Sequence, residues 1–313
     1  MIETRGLRKS FTSRRKPAVE AVRGIDLDVA EGEIFGFLGP NGAGKTTTLR
    51  MLATLIEPDG GEATIAGADL RRQPGEVRRR IGYVAQGGAT WDDSTAVEEL
   101  VLQARLYGIS RSAARVRATH VLESFQLSEY ADRKCRTYSG GQRRRVDIAL
   151  GIIHEPRLLF LDEPTTGLDP QSRAHMWDEI RRLRTEGMTV FITTHYLEEA
   201  DALCDRISIM DNGEIVASGT PAELKRSIAG EVVFVGLPLG AVSAATDVLT
   251  SYKLDVLTDG VRLHVEDGAT AIPDILRLLD AASVPLTGIE LHRPSLDDVF
   301  LTKTGRSLRE SAG

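Results

Sequence analysis

The sequence predicts an α/β core carrying a helical insertion, followed by a small α+β extension. Three observations predict it. Apolar runs at residues 34–38, 158–161 and 189–193 read as buried strands and alternate with helical segments. A glycine-rich stretch, residues 39–46, sits between the first of these strands and a helix opening at 47–56, the context a phosphate-binding loop requires. After about Lys225, strands and helices follow in the order β-α-β-β-α-β, which suits a small split-βαβ module.

In chain order, segments 24–29 and 33–38 are β-favouring and flank the turn signal Glu31-Gly32. Short strands follow at 63–66 and 81–84. From 95 to 125 the pattern is helical, with Val97, Leu100, Val101, Ala104 and Leu106 near helical spacing. Residues 140–153, 173–184 and 197–203 read as further helices. Strands at 207–210 and 214–218 flank Asp211-Asn212-Gly213, a hairpin signal. In the tail, strands are expected at 232–235, 254–257, 261–265 and 286–291, and helices at 241–251 and 272–282. A last helix, 296–302, follows the cap-like Pro294-Ser295. The chain thus divides into 1–225, with a helical subdomain at about 87–148, and an accessory domain, 226–313.

The composition narrows the function classes. With 313 residues, 42% hydrophobic and 27% charged, the chain can bury a substantial core. A net charge of −6 argues against a mainly nucleic-acid-binding protein. The clusters Arg78-Arg79-Arg80 and Arg143-Arg144-Arg145 read as solvated or ion-paired faces. Cys135 and Cys204 stand far apart, so neither a disulfide framework nor a zinc site is expected, and a reducing cytoplasm fits. No signal peptide is read in the first 30 residues and no apolar run is long enough to span a bilayer, so a membrane role would need a partner chain.

Gly39-Pro40-Asn41-Gly42-Ala43-Gly44-Lys45-Thr46 matches the phosphate-loop pattern in full. Its glycines let backbone N–H groups curl around phosphate oxygens, and the following helix, entered through Thr47, adds its positive dipole end. Lys45 is expected to reach the β- and γ-phosphates and the Thr46 hydroxyl to bind Mg2+. The run 158–161 ends in Asp162-Glu163, two carboxylates at the carboxyl end of a strand. Asp162 is a candidate Mg2+ ligand and Glu163 a candidate general base toward water. His195, at another strand end, is placed to touch the γ-phosphate and orient Glu163. Gln86 ends a third strand, is a candidate for the metal-bound and attacking waters, and opens the insertion.

With Tyr138-Ser139-Gly140-Gly141-Gln142, Gly167-Leu168-Asp169 and the elements above, residues 1–225 resemble an ABC-transporter nucleotide-binding domain, with the full motif set in order. The resemblance implies a P-loop NTPase core of ABC ATPase type with an antiparallel β subdomain. It also implies two ATP molecules sandwiched in a head-to-tail homodimer. Ser139, Gly140, Gly141 and Gln142 would close on the opposing subunit's ATP, with Asp169 at the seam. Tyr138 stands where the family usually has leucine. Phe11 stands where an aromatic stacks on adenine, but the stretch from Thr12 to Glu20 is longer than usual, so an ordinary core phenylalanine is the competing reading. The run from Tyr138 to Ala149 and Pro294-Ser295-Leu296-Asp297-Asp298-Val299-Phe300-Leu301 are similar to the ATPase subunits of daunorubicin/doxorubicin-resistance-type exporters.

The function this implies is an ATP-hydrolysing exporter subunit, held by a separate permease at the cytoplasmic face of the membrane and moving a drug or other hydrophobic compound. A coupling surface is expected in the exposed loop 87–93, where Trp91 packs either into a partner groove or into its own domain. A soluble translation or DNA-repair ATPase is the alternative. It is disfavoured by the single phosphate loop and by the lack of coiled-coil or zinc modules. For the tail from about Gly230, dimerisation, regulation and permease contact stay open.

Overall fold

Three strands buried on both faces organise the core of the computed structural model, which describes residues 1–306 apart from 14, 15, 229 and 239. They are β3 (Ile34–Leu38), β7 (Leu158–Asp162) and β8 (Thr189–Thr194), and every residue in them is buried. With β6 (Ile81–Val84) and β9 (Arg206–Asp211) they form a parallel sheet, closed on one edge by antiparallel β10 (Glu214–Gly219). The order is β10-β9-β3-β8-β7-β6. Phe35, Phe37 and Phe160 surround Phe191 with ring centroids 5.5–5.6 Å apart, fixing β3, β7 and β8 to one another. All-parallel pairing brings Leu38, Asp162 and Thr194 to one sheet edge, where the following loops can meet.

A second sheet, order β2-β1-β4-β5, is antiparallel: β1 (Ile2–Ser13), β2 (Lys16–Val29), β4 (Gly60–Ile65) and β5 (Ala68–Asp69). The sequence reading contains no β1. Its buried residues run Ile2, Thr4, Leu7, so the two-residue period breaks. A register shift between Thr4 and Leu7, with Gly6 at φ +56°, is the cause. The strands on either side of Glu31-Gly32 enter different sheets rather than one hairpin. Apolar residues of both sheets and of α1 (Lys45–Leu52) share one core, including Ile2, Leu27, Phe37, Leu49 and Phe160.

The expected helical stretch 95–125 is two helices, α3 (Ala96–Leu106) and α4 (Arg111–Ser124). Gly108 at φ +84° ends the first. Each begins on a side-chain cap: Thr95 with Glu98, and Ser110 with Ala113. The insertion is completed by α5 (Gly140–Ile152). Two further helices, α2 (Pro74–Arg80) and α8 (Pro221–Arg226), lie where the sequence pattern predicts no element. After β7 come α6 (Pro170–Thr185) and, after β8, α7 (Leu197–Leu203).

The described residues divide into two compact units, Met1–Pro221 and a second from Ala222 onward. The second has β11 (Glu231–Gly236), α9 (Val242–Val248), β12 (Lys253–Val256), β13 (Gly260–Val265), α10 (Gly268–Ala281), β14 (Gly288–His292) and α11 (Leu296–Thr304). Its sheet order, β12-β13-β11-β14, is antiparallel throughout. Ala245, Leu249, Ile275 and Leu279 of the helical layer pack with Val233, Val235, Val261 and Leu263 of the sheet. The β-α-β-β-α-β order expected for the tail is the order observed.

Candidate functional site

The loop from Gly39 to Gly44 folds tightly because its backbone has neighbours on both sides. A Cβ on Gly39 would sit 2.2 Å from Met210 O, and one on Gly44 would sit 2.3 Å from Ala21 O at φ +109°. Gly42, at φ +80°, has open space around it, and Asn41 and Gly42 face solvent. Ala43 N donates to Pro40 O at 3.2 Å and Gly213 N donates to Ala43 O at 2.9 Å, tying the loop to the hairpin after β9. Lys45 opens α1 and is buried; its Nζ donates to Gly39 O at 2.7 Å and Pro40 O at 3.1 Å. Burial pushes the lysine below its ordinary range, against the opposing pull of Glu163 and Asp162. Thr46 and Thr47 follow on α1, both half-buried.

The turn after β7 lies beside this loop. Asp162 Oδ1 accepts from Thr46 Oγ1 at 3.0 Å and from Thr193 Oγ1 at 2.6 Å. Glu163 N donates to both Thr193 O and Thr193 Oγ1 at 3.1 Å. Glu163 is non-glycine at φ +45°, a strained left-handed turn that aims its carboxylate back toward the loop. Its Oε1 lies 3.7 Å from Lys45 Nζ, and its Oε2 accepts from Gln86 Nε2 at 2.9 Å and Thr166 Oγ1 at 3.2 Å. His195 Nδ1 comes within 3.2 Å of Oε2 but off the hydrogen-bonding line, so it has no hydrogen-bond partner among the described residues. Burial alone would raise the Glu163 carboxyl; His195, Lys45 and Thr166 outweigh it and hold the group below its ordinary value. The arrangement is a buried, ionised carboxylate set against a cationic, N–H-rich cradle, suited to polarising water beside a bound phosphate.

Ser139 caps α5 in a capping box with Gln142 and is exposed, as is Gly140. Gly141 packs on Ser172: a Cβ there would lie 2.8 Å from Ser172 Oγ. Asp169 caps α6 by accepting from Ser172 N at 2.9 Å and Ser172 Oγ at 2.6 Å, so the helix caps of α5 and α6 meet at one serine. Tyr138 is buried, and its hydroxyl donates to Tyr130 O, which explains how a tyrosine occupies a core position. Phe11 is 46% exposed on β1, with Lys9 Nζ 5.7 Å from its ring centre, so the core reading of this residue does not hold. No direct contact joins Phe11 or Ser139 to the Lys45–Glu163 cluster among the described residues, whereas Gln86, Asp162, Thr46 and His195 gather there.

One basic residue departs from the solvated-cluster reading. Arg144 is buried and donates to backbone carbonyls around Glu163 and Gln86. A run of three arginines carries no sign of which one points inward. Beyond Gln86, the loop carries Trp91, which is 73% exposed, so it does not pack into its own domain. It borders a groove of about 660 Å3 with Leu55, Tyr83, Leu102, Leu106 and Tyr107.

Comparisons with known proteins agree with this geometry. The family profile described as "ABC transporter" matches residues 22–166, and "ATP-binding protein DrrA1-3-like, C-terminal domain" matches 219–304. The daunorubicin/doxorubicin resistance ATP-binding protein of Streptomyces peucetius is 44% identical, covering 99% of this chain and 96% of that protein. The linearmycin resistance ATP-binding protein of Bacillus subtilis (strain 168) is 35% identical, covering 99% and 100%. A solved ATP-binding cassette, dimeric in a post-hydrolysis state with ADP and Pi, is 27% identical with a TM-score of 0.64, covering 70% of this chain and 98% of that one. The second match begins at 219, close to the start of the second unit at Ala222, and the structural match covers the length of a single cassette. This chain therefore belongs to the ABC-transporter ATP-binding proteins, in the group of the daunorubicin/doxorubicin resistance subunits, and is an ATPase of that family.

Proposed function

We propose that this ATPase drives a separate membrane permease that exports a drug or other hydrophobic compound, and that it acts as a head-to-tail homodimer. The observation that carries the reading is the convergence of Lys45, Gln86 and His195 on Glu163 at the mouth of the phosphate loop. The backbone N–H groups of residues 41–47 and the Lys45 side chain hold the phosphates of ATP. The hydroxyl of Thr46 and the carboxylate of Asp162 are hard oxygen donors brought together at 3.0 Å, a pair that fits Mg2+, and the Gln86 amide oxygen would complete the set. When bound there, Mg2+ would neutralise phosphate charge. Glu163 takes the proton of the attacking water, and His195 orients it toward the γ-phosphoryl group. Ser139, Gly140, Gly141 and Gln142 supply an exposed helix start to the partner's ATP, with Asp169 at the seam.

Phe11, exposed and apolar, stacks on adenine. Phe11→Ala is expected to weaken ATP binding about 2–10-fold without changing kcat. Titration calorimetry with ATP checks this, and unchanged affinity removes Phe11 from the nucleotide site.

No described helix is long and apolar enough to cross a membrane, which supports a peripheral position, at the cytoplasmic face, on a partner chain. The groove beside Trp91 and Leu106 is the docking surface for that permease: both side chains are 73% exposed and apolar, and the exposed Leu55, Leu102 and Tyr107 extend the patch along the same groove. The drug-like cargo is supported by the resistance named for the relatives, and the acidic balance supports no nucleic-acid partner. Leu106→Glu is expected to abolish co-purification with the multi-helix membrane protein co-expressed with it. Basal ATPase activity should remain, and cells should again accumulate a fluorescent anthracycline. Retained co-purification, or restored accumulation with the complex intact, would count against this surface.

A further inference from the structure

Arg144 is the middle of three consecutive arginines, and the three do different things. Arg143 pairs with Asp92, and Arg145 Nη1 donates to Phe125 O at 3.0 Å. Arg144, 7% exposed, turns inward. Its Nε donates to Pro164 O at 2.8 Å, its Nη2 to Asp162 O at 3.1 Å and Glu163 O at 3.4 Å, and its Nη1 to Ala85 O at 2.7 Å. Along a strand, successive carbonyls point to opposite sides, so three in a row cannot face one donor. The left-handed turn at Glu163 is what lets the carbonyls of Asp162, Glu163 and Pro164 converge on a single guanidinium. A planar fork of five N–H donors can hold such a set; a lysine ammonium, with three donors at one point, cannot span it and Ala85 together.

Asp147 lies one turn further along α5, 4.0 Å from Arg144 Nη1. Its Oδ1 accepts from Ala89 N at 2.8 Å and Thr90 N at 3.2 Å. Gly88 is needed just ahead of them, because at φ +74° a Cβ would stand 2.7 Å from Asp147 Oδ2. One turn of α5 therefore grips the chain on both sides of Gln86 and the three carbonyls from Asp162 to Pro164. Those two side chains meet at 2.9 Å.

We infer that Arg144, backed by Asp147, is a positioning residue for hydrolysis: it locks the turn bearing Glu163 and the loop bearing Gln86 to the helix that begins at Ser139. The inference rests on the reading of Glu163 as the base. Arg144 touches no reacting atom; it sets where Glu163 and Gln86 stand. A shift of the Ser139 end is passed to both through a buried strut rather than through solvent.

The test uses the full chain with Mg2+ and ATP. Arg144→Lys keeps the buried charge beside Asp147 and loses the fork. It is expected to lower kcat about 10–100-fold, the cost of a misplacement of about 1 Å. ATP affinity by calorimetry and the melting temperature should stay close to wild type. In the Glu163→Gln background the same change should cost nothing further. Arg144→Gln, uncharged and too short for Ala85, should lower kcat as far with ATP affinity kept, while its melting temperature falls because Asp147 loses its buried counter-charge. Turnover within twofold of wild type overturns the proposal. So does a parallel loss of affinity and melting temperature, a multiplicative loss on top of Glu163→Gln, or failure of both variants to fold. Wild-type turnover of Glu163→Gln alone removes the base reading, and Arg144 is then judged on its own split between kcat and affinity.

Discussion

Glu163→Gln is expected to lower phosphate release by about 10²–10⁴, the range a positioned general base contributes. The substitution is nearly isosteric. A glutamine oxygen still accepts from Gln86 Nε2 and Thr166 Oγ1, so the turn at φ +45° keeps its contacts. What is lost is the negative charge opposite Lys45, and with it the site for the water's proton. ATP binding does not need that charge, because the cradle is made by the loop and Lys45. The variant should therefore accumulate as an ATP-bound dimer, visible as an ATP-dependent shift in size-exclusion chromatography, while single-turnover phosphate release stalls. Turnover like wild type would reject Glu163 as the base; stalled release with no dimer would reject the head-to-tail closure.

Gly44→Ala is expected to abolish ATP binding at concentrations that saturate the wild type. The methyl would stand 2.3 Å from Ala21 O and 2.5 Å from Met210 Cε, at φ +109°. A side-chain end can give way, but the carbonyl belongs to β2 and cannot. The loop must move instead, and moving it spoils the N–H cradle. Overpacking of this kind costs about 1–3 kcal/mol or more, added to the strain of a left-handed residue. Gly42→Ala is the internal control: its φ is also positive, yet nothing lies within 4 Å. It should lose only the about 1 kcal/mol of backbone strain, roughly a fivefold change in affinity. Calorimetric titration with ATP separates the two. Equal affinities for both variants would show that flexibility of the loop, and not the packing of β2 and β9 against it, governs binding.

Much of the site was legible because its chemistry sits where strands end. β3, β7 and β8 are buried and centred on apolar runs, and each gives way at its end to the residues that do the chemistry: the glycine loop after Leu38, Asp162-Glu163, and Thr193-Thr194-His195. Parallel pairing in register then carries those ends to one edge, so the order of motifs along the chain became a map of the site. The second unit was legible for a simpler reason. It alternates short apolar strands with amphipathic helices and contains no long insertion.

What the sequence by itself determined is the set of chemical parts: the phosphate loop, the two carboxylates, His195, Gln86 and the Ser139 helix start, each recognisable from residue type and neighbours within a few positions. Tertiary structure alone decided which of them touch, and what holds them. Glu163 meets Gln86 from 77 positions away and Lys45 from 118, a pairing that only the sheet order creates. Arg144 is buried because carbonyls from two distant loops converge on it. β1 is a strand despite its broken period because a bulge at Gly6 lets Leu7 regain the core. Gly39 and Gly44 must be glycine because Met210 and Ala21, distant in sequence, present backbone to them. Local pattern reports burial and turn chemistry; convergence of groups from separate loops depends on distances that no short window of sequence contains.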